Sequence, residues 1–114
     1  MISQQVFEVK PNISDLGPIN ITATIEKWIG SDENILGEIK EKLVRYFDGD
    51  WGGIGTEDWM ANSDTLKRKT PHGRLMASYL LRNGETVWII TDGYGQQENG
   101  IDYCYTTILS PDDY

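Results

Sequence analysis

RLMASYLLRNGETVWIIT (residues 74–91) carries the clearest β pattern in the chain. Two apolar runs, 74–81 and 86–91, flank Arg82-Asn83-Gly84-Glu85, and within each run the apolar positions alternate. A period of two is the mark of a strand with one buried face. Asn-Gly between two such runs tolerates the positive φ of a type I′ turn, so the stretch reads as an antiparallel hairpin. Trp88 alternates with Val87 and Ile89, which puts one of those two faces in the core and leaves Trp88 on the other. A polar loop, DGYGQQENG (92–100), then leads to DYCYTTILS (102–110), a third strand that Pro111 closes. The C-terminal half is a three-stranded meander.

Upstream, VFEV (6–9) alternates and predicts a short strand. INITATIEKWI (19–29) is rich in β-branched residues, with Ile19, Ile21, Ala23 and Ile25 on one face, and predicts a second. Ser31 or Asp32 then caps a helix of about four turns, in which Leu36, Ile39, Leu43, Tyr46 and Phe47 recur at helical spacing. Glu38–Lys42 and Glu41–Arg45 are i,i+4 pairs on it, and Gly49 ends it. GDWGGIGTEDW (49–59) is read as the turn between two helices, with Trp51 or Trp59 filling the gap. Thr56 is its expected N-cap, ahead of Glu57 and Asp58 in the first turn of a helix over about 57–66. The order is β-β-α-α-β-β-β. That predicts one α+β domain over residues 1–114, an antiparallel sheet of about five strands packed against two helices.

A chain of 114 residues with 39% hydrophobic content suits a single core. No apolar run reaches the ~18 residues of a membrane span, and MISQQVFEVK lacks the basic-then-apolar order of a signal peptide. One cysteine forms no internal disulfide. A soluble, cytoplasmic protein is expected. Charge is the strongest global feature: 18 acids against 10 bases give −8. Five acids and no base lie between Asp48 and Asp64, and six acids and no base between Asn83 and Tyr114. Lys67-Arg68-Lys69, His72 and Arg74 form a basic island between them. Such a surface repels nucleic acid and attracts basic clefts, including those that hold nucleic acid.

The motifs that would indicate catalysis fail on their chemistry. A calcium loop begun at Asp48 has Asp50 and Gly53 in place, but Gly52 and Trp59 stand where two carboxylates are needed. Gly53-x-Gly55 and Gly93-x-Gly95 lack a third glycine or a P-loop lysine, and their neighbouring acids repel phosphate. Cys104 sits mid-strand between tyrosines and reads as a small buried thiol. With His72 the single histidine, neither a nucleophile–base pair nor a conventional zinc set assembles. Glu57–Asp58 reads as a helix start. No catalytic residue, cofactor site or metal site is expected.

One resemblance bears on function. GDWG (49–52), Glu57-Asp58, Asn62, Arg74-Leu75 with Ser78 and Tyr79, WIIT (88–91) and TTILSPDDY (106–114) occur in that order. Over residues 45–114 this resembles an uncharacterised family of small proteins of plasmids, conjugative elements and phages. It departs from that pattern in its longer GYGQQENG loop and in Ser110, where the family has an apolar residue. The resemblance implies a mobile-element setting, in which small acidic proteins often inhibit host defence enzymes. The expectation is therefore a non-enzymatic inhibitor occupying the basic nucleic-acid-binding surface of a CRISPR effector nuclease or restriction enzyme, as a monomer or homodimer. Asp50, Glu57, Asp58, Asp92, Glu98, Asp102, Asp112 and Asp113 are its expected electrostatic contacts, with Tyr94 as aromatic anchor in the 94–99 loop. The alternatives are an interaction module of conjugation or plasmid maintenance, and a small ligand-binding protein or enzyme.

Overall fold

The structure, a computed structural model, describes residues 16–68, 73–94, 97–98, 101–102 and 104–114. VFEV (6–9) lies outside the described residues. In chain order the elements are β1 (Ile19–Ile21), α1 (Ala23–Ser31), α2 (Ile35–Phe47), α3 (Thr56–Arg68), β2 (Gly73–Leu80), β3 (Thr86–Tyr94), β4 (Gln97–Glu98), β5 (Ile101–Asp102) and β6 (Tyr105–Leu109). A 3-10 turn, Pro111–Asp113, follows. The fold is α+β, as expected, with two differences in its parts: three helices, and a sheet that is mixed.

The four-stranded sheet has the order β1-β6-β3-β2, and β4 and β5 form a separate two-stranded ribbon. β2 with β3 and β3 with β6 are antiparallel, the expected meander. β1 lies parallel to β6, with Ile19 opposite Thr106 and Ile21 opposite Ile108. A parallel pair needs a long crossover, and the helices and hairpin between residues 22 and 104 supply it.

The hairpin closes through three residues, Arg82-Asn83-Gly84, and not through the two of a type I′ turn. The Gly84 N–H donates to the Leu81 carbonyl at 3.0 Å and the Leu81 N–H to Glu85 at 2.8 Å. Only Gly84 of the pair has a positive φ, 90°. This is the type I turn with a following left-handed residue that three-residue hairpins favour.

One sheet face carries Leu75, Ala77, Tyr79, Val87, Ile89 and Ile108, all buried against Ile25 of α1 and Ile35, Ile39, Leu43, Tyr46 and Phe47 of α2. The expected stripe on α2 is therefore present, with Leu36 at its margin. Trp88 is on the opposite face, where its ring meets Tyr114 edge-on at 5.7 Å.

The stretch 19–29 is not one strand. It changes at Thr22, whose hydroxyl accepts the Ile25 N–H at 3.4 Å as the N-cap of α1. Ile25, Trp28 and Ile29 sit at i, i+3 and i+4, a helical stripe that overlapped the β-branched alternation. Asp32 closes α1 instead of opening α2, its N–H donating to Trp28. The i,i+4 ion pairs expected on α2 are also replaced. Lys42 meets Glu41, Arg45 meets Asp50, and Glu38 accepts the Arg82 backbone N–H at 2.8 Å.

Candidate functional site

The glycine-rich stretch after α2 is built around the open edge of β2. Gly49 takes φ 84° as the helix ends. The Asp50 carboxylate then accepts the Arg45 Nε–H at 2.7 Å and the Gly52 N–H at 3.1 Å, which bends the chain. Trp51 turns into the core, edge-on to Tyr46 of α2 at 5.3 Å.

Gly52 bridges to Ser78 in parallel fashion. Its φ is 71°, and a Cβ there would run into the Ser78 carbonyl and the Tyr79 ring. The Ser78 N–H donates to Trp51 and the Ser78 carbonyl accepts from Gly53. Two residues along the strand, the Asn62 amide of α3 meets Met76 through both its oxygen and its nitrogen. Two further along, the Thr65 hydroxyl donates to the Arg74 carbonyl at 3.3 Å. Arg74, Met76 and Ser78 are three of the residues whose backbone faces outward, Leu80 being the next. Each of the three is met there, which is how this fold manages an edge strand.

α3 begins at Thr56 itself, and the Gly55 carbonyl accepts the Trp59 N–H at 3.0 Å. Gly55, not Thr56, therefore occupies the N-cap position. With Asn62 turned to the sheet, the first turns of α3 leave Glu57, Asp58, Trp59, Met60 and Asp64 exposed. Trp59 is 41% and Met60 63% accessible. Helical spacing predicts Trp59, Asn62 or Ser63, and Leu66 on one side of this helix. The sequence carries no signal that separates Trp59 from Asn62: Asn62, three residues on, is itself buried against β2.

The expected contact residues divide into three groups. Glu57, Asp58 and Asp112 are exposed, and their carboxylates make no ion pair among the described residues. Asp50, Asp92 and Asp113 have internal work. Asp92 accepts the Arg74 Nε–H at 2.9 Å, while Arg74 Nη1 donates to the Tyr114 hydroxyl at 2.6 Å. Tyr114 and then Asp92 hold the Arg74 guanidinium above its ordinary pKa. Asp113 accepts from the Thr22 and Thr24 hydroxyls, each at 2.7 Å, which lowers its pKa. Arg45 lowers that of Asp50 in the same way. The side chains of Glu98 and Asp102 lie outside the described residues.

Tyr94 corrects the reading: it is 3% accessible and belongs to the core. Gly73 pairs with Tyr94 but Arg74 with Asp92, so Gly93 is an extra residue, with φ 71°. That bulge reverses the alternation and swings Tyr94 to the inner face. A deletion of 94–99 would therefore begin in the core.

Among the described residues, no group of three or more histidine, cysteine or acidic side chains is placed to hold a metal. Cys104 is buried, as expected, and His72 lies outside the described residues. No helix of the described residues is long and apolar enough to cross a membrane. An open groove of about 340 Å³ lies where the capped edge of β2 ends, bordered by Arg45, Gly52, Gly53, Tyr79, Leu80 and Thr86. No family model, curated protein or solved structure matches the chain.

Proposed function

We propose that this chain is a non-catalytic, acidic binding protein that occupies the basic nucleic-acid-binding surface of a host defence enzyme, such as an RNA-guided nuclease or a restriction enzyme. The observation that supports this is the outer face of α3, where Trp59 and Met60 stand exposed among Glu57, Asp58 and Asp64. Exposed ion pairs contribute only about 0.2–1 kcal/mol each, so carboxylates alone do not reach nanomolar affinity, which needs about −12 kcal/mol. An interface of this kind needs a desolvated aromatic or thioether anchor beside its charges. α3 offers both in two turns, in a chain of net charge −8. The acids steer the encounter with a basic cleft, and Trp59 and Met60 hold it.

The test is cleavage of labelled DNA by an RNA-guided nuclease and by a restriction enzyme, with and without the protein, at low and high salt. The expected result is inhibition of one enzyme that weakens with salt. It should be lost in the Glu57→Lys/Asp58→Lys/Asp64→Lys variant and reduced by Trp59→Ala. Cleavage unchanged for both enzymes, or inhibition indifferent to the triple variant, overturns the proposal.

A further inference from the structure

We infer that the groove at the end of β2 is a second binding site, independent of the α3 face, that captures the C-terminal end of an extended peptide chain. The caps on β2 stop at Ser78 because Gly52, at φ 71°, diverts the chain away toward α3. Leu80 is the next outward-facing residue, paired with Thr86 across the hairpin, and no backbone partner meets it from the groove side among the described residues. Its side chain is 69% accessible. One N–H and one carbonyl of a sheet edge are thus open to an incoming strand, which is the requirement for strand addition.

The groove also fixes which end of the strand arrives. A strand entering past the hairpin turn and running antiparallel to β2 meets the Trp51–Gly53 segment after Leu80 and can go no further. Its terminus must lie there, beside Arg45. The Arg45 guanidinium is pre-oriented: Asp50 holds its Nε at 2.7 Å and its carbon lies 5.0 Å over the Tyr79 ring. No hydrogen bond engages its two Nη groups among the described residues. A pair of N–H groups in a fixed plane matches a carboxylate, whereas a terminal ammonium would be repelled. The chemistry selected is therefore a chain end with a free α-carboxylate, its last residues extended and alternating in side-chain direction.

The test uses the full chain and an N-acetylated hexapeptide of alternating threonine and valine, with either a free C-terminal carboxylate or an amide. Calorimetry measures affinity, and amide NMR follows the Leu80 N–H. The free acid should shift the Leu80 amide and protect it from exchange, and the peptide amide should bind at least about tenfold more weakly. Arg45→Lys keeps the positive charge but not the planar fork, and should remove most of that discrimination. Leu80→Pro deletes an N–H that β3 does not use and should abolish binding, with circular dichroism confirming that the fold survives. A third peptide, amidated but bearing a penultimate glutamate, separates a side-chain carboxylate from a chain end. Equal affinity for acid and amide, tighter binding of the glutamate peptide, or an unmoved Leu80 amide at millimolar peptide overturns the inference.

Discussion

Asn62 and Met76 form a two-point contact: the Asn62 Nδ2 donates to the Met76 carbonyl at 2.7 Å, and its Oδ1 accepts the Met76 N–H at 3.0 Å. A side chain here takes the place that a neighbouring strand would fill. Asn62 is 2% accessible, so water does not readily replace it. Asn62→Leu strands both backbone groups and should destabilise by about 2–6 kcal/mol, since each unsatisfied group costs about 1–3. Asn62→Asp keeps the acceptor, loses the donor and sets a carboxylate against the Met76 carbonyl, so it should be comparably damaging. Urea unfolding measures both. A loss below 1 kcal/mol for either would show that the edge is satisfied in some other way.

Gly52 is the glycine on which the edge cap depends. Its positive φ alone costs a side-chain-bearing residue about 1–3 kcal/mol, and its Cβ would meet the Ser78 carbonyl. Gly52→Ala should therefore lower stability by more than the backbone term, with Ser78 losing exchange protection first. Gly37→Ala, in α2 with open space around it, should be neutral or stabilising by up to about 1 kcal/mol.

Thr56 is the first helical residue of α3, so Thr56→Ala should change stability by less than about 0.5 kcal/mol. Gly55 has open space around it and no positive φ. Gly55→Ser should then stabilise by a few tenths of a kcal/mol, as serine is the better cap. Thermal unfolding of the two variants distinguishes them.

These positions mark what the sequence made legible. α2 and the 74–91 hairpin were readable because each has one unopposed period. At 19–29 two periods overlap, and the hydrogen bond at Thr22 settles which one applies where. Tyr94 was misread because alternation counts residues, and the bulge at Gly93 adds one that the count does not see. The parallel pairing of β1 with β6 joins Ile19 to Thr106, residues too distant for any local pattern to connect. The exposed α3 face was half visible: its acids could be read directly, but the accessibility of Trp59 follows from Asn62 turning toward β2.

Acid should weaken the fold in a defined window. Asp50 has a lowered folded pKa because Arg45 donates to it, and Asp113 because Thr22 and Thr24 do. For a depressed folded pKa the unfolded chain binds the proton first. The stabilisation is complete above the ordinary aspartate value, 3.8, and is lost as pH falls through the lower folded values. Asp113→Asn should have a reduced thermal midpoint at neutrality, and the gap to the unaltered protein should close as pH falls to about 2. A gap that stays constant over that range would remove the carboxylate from this role.

A buried hydroxyl chain has its direction fixed at one end. The Leu16 carbonyl can only accept, so the Thr106 hydroxyl donates to it at 2.9 Å. Thr106 Oγ1 must then accept from Thr91 at 2.7 Å, and Thr91 Oγ1 from the Tyr46 hydroxyl at 2.8 Å. Tyr46 is the terminal donor, and burial holds its phenol well above its ordinary pKa. Removing the donor in Tyr46→Phe leaves one oxygen short of a partner and should cost about 0.5–1.5 kcal/mol. Thr106→Val cuts the middle of the chain, orphaning both the Leu16 carbonyl and the Thr91 hydroxyl proton, and should cost about 2–6 kcal/mol by the same arithmetic. Paired with Tyr46→Phe in a double-mutant cycle, Thr106→Val should give less than the sum, because Thr91 can reorient once both neighbours are gone. Strict additivity would mean that the hydroxyls act as separate pairs and not as a coupled chain.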